Sequence, residues 1–260
     1  MTENKPLKRF GQNYIVDKNI VNKFVGLFDP KPDDMVLEIG PGRGAITEQL
    51  MEKSNNVYAV EIDSRVIEDL SKRFEKLTII EADILKLDFD IFSKFPTKIR
   101  AIGNIPFNIT SPIIFNFIEK RALISDAMFI VQHEVAKRMK AGRGTKDYGI
   151  LSVILEAFTT VKIVAKVSPN VFYPKPNVQS AIIHLVFNKE FPADLDEKVF
   201  LQVVKSAFGN RRKTLKNSLK NSIFGSCDFS GINQFLSRRA EELNLNEFFQ
   251  LTEYFMQAYD

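Results

Sequence analysis

The chain has almost no cysteine. Cys227 stands alone among 260 residues, which excludes an intrachain disulfide framework and a cysteine-rich zinc site, and it reads as a small packed side chain more than as a nucleophile. Histidine is nearly as scarce, His133 and His184 being the whole supply, so a histidine metal cluster is not expected. No run of about twenty apolar residues occurs, and no membrane-spanning helix is indicated. The start MTENKPLKRF is charged with no apolar stretch after it, so no secretory signal is indicated and a cytoplasmic location is expected. Internal repeats and low-complexity tracts are absent. Charge excess is small: a net +4 and a pI near 9.0 permit a polyanionic partner without establishing one.

What is present points to a packed α/β protein. With 45% apolar residues, 260 residues can bury one sizeable α/β domain and leave a small appendage. A helical pattern runs from about Asp17 to Phe28. After Pro30 and Pro32 the run Met35–Ile39 reads as a strand that breaks into Gly40-Pro-Gly-Arg-Gly44 and a helix from about Ala45 to Lys53. The alternation continues with strand Val57–Glu61, helix Arg65–Phe74, strand Leu77–Glu81, an acidic loop over Asp83–Asp90, and a fourth strand, Ile99–Gly103. Such alternation predicts a parallel sheet with ligands at the carboxyl ends of its strands. Pro112–Glu119 is expected to be helical and Ala127–Gln132 a fifth strand. His133–Lys140 and Tyr148–Phe158 read as helices around the polar loop Ala141–Asp147, and Val161–Val167 and Ser180–Phe187 as two more strands. Three prolines and two aromatics in Ser168–Asn177 argue for an ordered, extended connection. A hinge at Asn188–Asp194 precedes a wholly helical pattern, with candidates Val199–Phe208, Arg212–Ile223, Ile232–Leu236 and Asn246–Tyr259. The expected division is residues 1–190 and a small all-α domain of residues 191–260.

Glu38-Ile-Gly-Pro-Gly-Arg-Gly44 needs its glycines to turn sharply and to bring backbone close to a ligand. An acid ending the strand, followed by G-x-G-x-G and not G-x-G-x-x-G, suits a ligand with an ammonium group, because a Glu38 carboxylate would repel a pyrophosphate. Glu61 ends the next strand, where a carboxylate can take both hydroxyls of a ribose. Asp83 follows the third strand, in reach of an adenine amino group. Taken singly, each acid reads as a solvated loop carboxylate. Together at three successive strand ends, with the glycine loop, they fit an adenosine carrying an amino-acid tail, and S-adenosylmethionine is that molecule.

The stretch Gly103-Asn104-Ile105-Pro106-Phe107-Asn108 leaves the fourth strand on the same rim. Pro106 has no N–H and pushes Ile105 out of the helical region, so the Ile105 carbonyl is expected to project from the turn. That carbonyl and the Asn104 side-chain oxygen can receive the two hydrogens of an exocyclic amine, while Phe107 offers a face to a base. A tight turn with a buried Phe is the plainer reading of the same residues. Beside a methyl-donor site, the turn suits methyl transfer to adenine N6. That nitrogen's lone pair is delocalised into the ring, and acceptors that hold its hydrogens favour a more nucleophilic geometry without any strong base.

Five stretches carry a family resemblance over most of the chain. Gly11-Gln-Asn-Tyr-Ile15, Glu38–Gly44, Asn104-Ile-Pro-Phe-Asn-Ile-Thr110, Phe172-Tyr-Pro-Lys-Pro-Asn-Val-Gln-Ser180 and Phe208-Gly-Asn-Arg-Arg-Lys-Thr-Leu-Lys-Asn-Ser218 resemble the ordered motifs of the rRNA adenine N6-dimethyltransferases. The last stretch most resembles the KsgA type, which dimethylates two adjacent adenosines in a hairpin near the 3′ end of small-subunit rRNA during ribosome assembly. The macrolide-resistance methylases of large-subunit rRNA share the earlier motifs. The resemblance implies a Rossmann-like class I S-adenosylmethionine-dependent methyltransferase domain, with a seven-stranded, mostly parallel sheet, and a small all-α C-terminal domain that binds RNA. It implies S-adenosyl-L-methionine as methyl donor, no metal, small-subunit rRNA in an assembling particle as partner, no membrane, and a monomer.

By position, the resemblance implies donor binding by Asn13, Ile15, Gly40, Glu61, Asp83 and Asn104, joined by Glu38 and Gly42 of the glycine loop. Catalysis falls to the turn Asn104, Ile105, Pro106 and Phe107. The basic start Lys5–Ile15, which by pattern alone reads as a frayed terminus, becomes part of the donor site. Two departures are visible: Phe107 stands where the family more commonly has Tyr, and Tyr14-Ile15 where Phe-Leu is usual. Stacking survives both, but a tyrosine hydrogen bond at position 107 does not.

For the RNA, Lys205, Arg211, Arg212, Lys213, Lys216 and Lys220 form one cationic cluster, and Lys137, Arg138, Lys140, Arg143 and Lys146 another. Phosphate contacts from either would be salt-dependent. Each cluster reads equally as a solvated helix face, and Arg211-Arg212 also as packing between domains. Phe172 and Tyr173 either flank the target base or pack in the core. A base in a hairpin loop is already partly unstacked, which lowers the cost of flipping it. Two other classes fit the fold: a non-catalytic assembly factor, against which Glu61, Asp83 and Asn104 count, and a dehydrogenase, against which Glu38 and the glycine spacing count.

Overall fold

The computed structural model describes residues 11–257. Lys5–Phe10 of the basic start, and Tyr259 at the end of the last expected helix, lie outside them. The described chain divides into two compact units. One runs to Ala136 and resumes over Lys162–Phe187; the other comprises Lys137–Val161 and the residues from Asn188 onward. Residues 137–161 therefore group with the C-terminal residues, not with the sheet.

In the first unit, β1 (Tyr14–Ile15) leads into α1 (Lys18–Phe28). The Asp17 carboxylate caps this helix by accepting the Asn19 N–H, and Asp29, at φ 49°, ends it in the left-handed region. There follow β2 (Met35–Ile39), α2 (Ala45–Met51), β3 (Asn56–Glu61), α3 (Ser64–Arg73), β4 (Thr78–Glu81), β5 (Ile99–Asn104), α4 (Thr110–Glu119) and β6 (Ile124–Gln132). Every residue of β2 is buried, as a strand covered on both faces requires, and only Glu38 interrupts its apolar run. The division between the units falls within α5 (His133–Met139). After α6 (Ile150–Phe158) come β7 (Thr160–Val167), β8 (Phe172–Tyr173) and β9 (Ser180–Val186).

Seven strands form one sheet in the order β4-β3-β2-β5-β6-β9-β7. The first five are parallel and β9 runs antiparallel to β6, which is the mostly parallel α/β sheet the sequence predicts. β1 and β8 make a separate antiparallel ribbon, with Tyr14 opposite Tyr173 and Ile15 opposite Phe172. The strand order reverses at β2, whose carboxyl end lies between those of β3 and β5, the crevice where this architecture takes ligands. Gly103 lets that end close: a Cβ there would stand 2.5 Å from the Ile39 carbonyl oxygen.

The amino end of β5 is pinned by charge. Arg100 donates to both oxygens of Asp126 at 2.8 and 3.1 Å, to Asp34 at 2.7 Å, and to the carbonyls of Phe28 and Asp29. A His184 ring nitrogen lies 2.8 Å from Asp126. Burial works against the Arg100 charge, and the two carboxylates outweigh it, holding its pKa above the ordinary arginine value.

In the second unit α6 is joined by α7 (Glu197–Phe208), α8 (Leu215–Lys220), α9 (Asn233–Leu236) and α10 (Leu245–Gln257). Aromatic pairs recur in its packing: Phe158 stacks on Phe191 with centroids 5.2 Å apart, Phe208 on Phe248 at 5.9 Å, and Phe224 lies 4.2 Å from Phe255. The helical stretch expected over Arg212–Ile223 is shorter, because the Lys213 N–H bonds to the Asn210 carbonyl in a turn and Thr214 is extended before α8 starts. Among the described residues no helix is long and apolar enough to cross a membrane.

Candidate active site

One cavity in the first unit opens at the carboxyl ends of β2, β3, β4 and β5. Asn13, Ile15, Gly40, Gly42, Glu61, Asp83, Asn104, Ile105, Pro106 and Phe107 all line it. Gly40, at φ 64°, has open space where a Cβ would stand. Gly42, at φ 53°, has the Tyr14 ring 2.8 Å from that position, so neither tolerates a side chain without strain and the loop presents bare backbone. Asp83 accepts the Leu85 N–H on Oδ1 at 3.0 Å, and its Oδ2 has no hydrogen-bond partner among the described residues. Glu61 is braced by the N–H groups of Ile62 and Asp63, 2.9 and 3.0 Å from Oε1; burial, the larger influence, still raises its pKa. An open carboxylate oxygen, a braced carboxylate and bare glycine backbone fit an adenosine with an amino-acid tail.

Glu38 is the one expected donor contact that does not line the cavity. It is wholly buried; Oε2 accepts the Thr47 hydroxyl at 2.6 Å, and Oε1 has no partner. Burial pushes its pKa up to about 8, with Glu61 adding and the Thr47 bond opposing. Near neutral pH it is mainly an uncharged acid, so the repulsion of phosphate expected from a carboxylate here does not operate.

The turn after β5 carries the other half of the site. Asn104 donates Nδ2 to the Asn13 carbonyl at 2.6 Å, and its Oδ1 is left without a partner among the described residues. The Ile105 side chain is buried and anchors the turn, while its carbonyl accepts no hydrogen bond among the described residues. Pro106 is extended, at φ −57° and ψ 134°. Its carbonyl takes the Ile109 N–H and the Thr110 hydroxyl, winding Phe107–Ile109 into a short 3-10 turn ahead of α4. Phe107 is half-buried on the cavity wall and touches no other aromatic ring among the described residues. Two acceptors and a ring thus line one cavity with the donor-type groups.

Several residues of the site escaped sequence reasoning. Gln12 donates to Asp63 at 3.2 Å, and the Arg43 guanidinium sits 5.1 Å over the Tyr14 ring. The Tyr14 hydroxyl is buried without a partner, and burial, then Asp63 and Glu61, raise its pKa. Ile62 stands 48% exposed on the cavity wall; an apolar residue directly after a strand-end acid was the only trace of it in sequence.

The RNA candidates separate. Phe172 is buried in the core cluster of the first unit, whereas Tyr173 beside it is 57% exposed. Arg211, Arg212, Lys213 and Lys216 are exposed residues of the second unit, which also holds Lys137, Arg138, Lys140, Arg143 and Lys146. Glu241 ties the two cationic segments: its carboxylate takes Arg211 Nε at 2.9 Å and its carbonyl the Gly144 N–H at 2.7 Å.

A family model described as ribosomal RNA adenine dimethylase matches residues 3–257. The chain is 41% identical over 244 residues to the ribosomal RNA small subunit methyltransferase A of Chlorobium chlorochromatii, covering 94% of this chain and 91% of that protein. It is 40% identical over 254 residues to the protein of the same name from Xylella fastidiosa, covering 95% and 96%. Among solved structures, a dimethyladenosine transferase from Plasmodium falciparum superposes with a TM-score of 0.80 at 27% identity, over 94% of this chain and 98% of that one. The 23S rRNA methyltransferase ErmE superposes with a TM-score of 0.66 at 24% identity, over 93% and 100%, a likeness of fold alone.

Proposed function

The chain belongs to the ribosomal RNA adenine dimethylase family, whose members are S-adenosylmethionine-dependent methyltransferases, and on that premise we propose that it dimethylates N6 of two adjacent adenosines in the 3′-terminal hairpin loop of small-subunit rRNA during ribosome assembly. The observation that carries this is the pairing, on one cavity, of Asp83 and Glu61 with the unpartnered Asn104 Oδ1, the Ile105 carbonyl and the Phe107 ring. In this reading residues 11–187 outside the helical unit do the chemistry, the second unit holds RNA, and the enzyme is a cytoplasmic monomer that uses no metal. The small-subunit target draws support from the names of the relatives at about 40% identity.

The donor supplies an electrophilic methyl group and departs as a neutral thioether, so no general acid is required. Asp83 Oδ2 accepts from the donor's adenine amino group, Glu61 takes the ribose hydroxyls, and the Gly40–Gly42 backbone accommodates the amino-acid tail. Phe107 holds the target base by stacking. Asn104 Oδ1 and the Ile105 carbonyl accept its two N6 hydrogens, drawing the nitrogen lone pair out of ring conjugation and toward the methyl. The methylated nitrogen is briefly cationic and acidic enough to lose its proton to water. Orientation and fixed dipoles carry the rate.

Incubation with methyl-labelled donor and separated ribosomal subunits lacking the modification tests this. Label is expected in small-subunit rRNA. Label confined to large-subunit RNA would favour the macrolide-resistance type, and no label in any RNA would favour an assembly factor.

A further inference from the structure

A side-chain amide offers two hydrogens on one side and two lone pairs on the other, in nearly the same shape, so a neighbour must decide which side faces a ligand. At Asn104 that neighbour is main chain: Nδ2 donates to the Asn13 carbonyl at 2.6 Å, joining residues 91 apart in sequence. We propose that the Asn13 carbonyl is a positioning group for the reaction, holding Asn104 in the one amide orientation whose Oδ1 accepts from the exocyclic amine of the target base. This rests on the turn being the site of methyl transfer. A flipped amide would set N–H against the amine hydrogens and oxygen against the Asn13 carbonyl, and both contacts repel.

The segment that carries the carbonyl is tied at several points. Asn13 Nδ2 bonds to the Gly11 carbonyl at 3.2 Å, Gln12 to Asp63 at 3.2 Å, and the Val16 N–H to the Val171 carbonyl at 2.9 Å. Residues 11–14 also touch both halves of the site. The Tyr14 ring lies against Gly42 of the glycine loop, and Gly11 stands against Asn108 and Pro106 of the turn. The segment that walls the donor side therefore sets the polarity of the base side.

Asn104→Asp separates accepting from orienting. The introduced carboxylate, when ionised, still offers acceptors to the base but has no hydrogen for the Asn13 carbonyl, whereas the protonated acid has both. A carboxyl that bonds the carbonyl only when neutral has a raised pKa, so its activity is present below that pKa and lost as pH rises through it. With unmodified small-subunit particles and labelled donor, kcat of Asn104→Asp is expected to lie about a hundredfold below wild type at about pH 8.5, and to recover about tenfold against wild type by about pH 6. Turnover close to wild type at the higher pH, or a ratio that does not rise toward the lower, overturns the inference.

A second readout needs no turnover. In isotope-labelled wild-type protein without RNA, a scalar coupling across the hydrogen bond should link Asn104 Nδ2 to the Asn13 carbonyl carbon, and its absence overturns the inference even where transfer is normal. Wild-type protein that shows the coupling but methylates no RNA would overturn the proposed activity, and with it the catalytic role of the bond, so the two failures are distinguishable.

Discussion

Phe107 and Glu38 show how much a single side chain's surroundings decide. Phe107 has no hydroxyl and, among the described residues, no aromatic neighbour, so stacking is what it can contribute to holding a base. Phe107→Ala should raise the apparent transfer barrier by roughly 1–3 kcal/mol, and Phe107→Tyr should be nearly neutral, both read from kcat/KM on unmodified particles. A large effect of the tyrosine would mean that its hydroxyl meets a partner here. Glu38 binds its proton in the folded protein up to about pH 8, against an ordinary value of 4.5. Because the folded pKa is raised, the stability it contributes is fully present below the ordinary value and is lost as pH climbs through the folded one. The stability of wild type relative to Glu38→Gln should therefore decline steadily from about pH 5 to about pH 8 in urea unfolding. A difference that stays flat over this window would mean that Glu38 is ionised in place.

At the scale of elements, the strand, glycine loop and helix formed by β2, residues 40–44 and α2 were legible because their signals are local: an apolar run, three glycines, then an amphipathic pattern. The same holds for the turn at Pro106, where proline dictates the backbone. What could not be read depends on distant partners. The pairing of Tyr14 with Tyr173, the Asn104 bond to Asn13, and the sealing of Glu38 all arise only when the chain has folded. Residues 137–161 read mainly as parts of two helices around the polar loop Ala141–Asp147, yet their grouping with the C-terminal helices follows from which surfaces cover α6, and periodicity does not report that. Arg100 is a further case, a lone basic residue in an apolar strand that proves to bind Asp126 and Asp34 at the end of the sheet away from the cavity. Arg100→Met removes the cation shared by the two carboxylates, leaving Asp126 with His184 and Asp34 with the Lys31 N–H, and should cost about 3 kcal/mol, the low end for a broken buried pair because those contacts persist. Equilibrium unfolding checks it, and a loss below about 1 kcal/mol would reduce the cluster to an ordinary surface contact.

For the whole molecule, the candidate cavity and the cationic cluster Arg211–Lys216 belong to different units of the chain. Arg212, Lys213 and Lys216 are exposed and make no ion pair among the described residues, while Arg211 already holds Glu241. Replacing Lys213 and Lys216 with alanine should lower the slope of log affinity for rRNA against log salt by about 1 per residue, with donor affinity unchanged. An unchanged slope would place the RNA elsewhere on the protein. Small-subunit particles lacking the modification, treated with the protein and S-adenosyl-L-methionine, should yield by mass spectrometry of mapped fragments two adjacent N6,N6-dimethyladenosines in the 3′-terminal hairpin. Methylation at any other base, confined to large-subunit RNA, or absent altogether would contradict the proposed function.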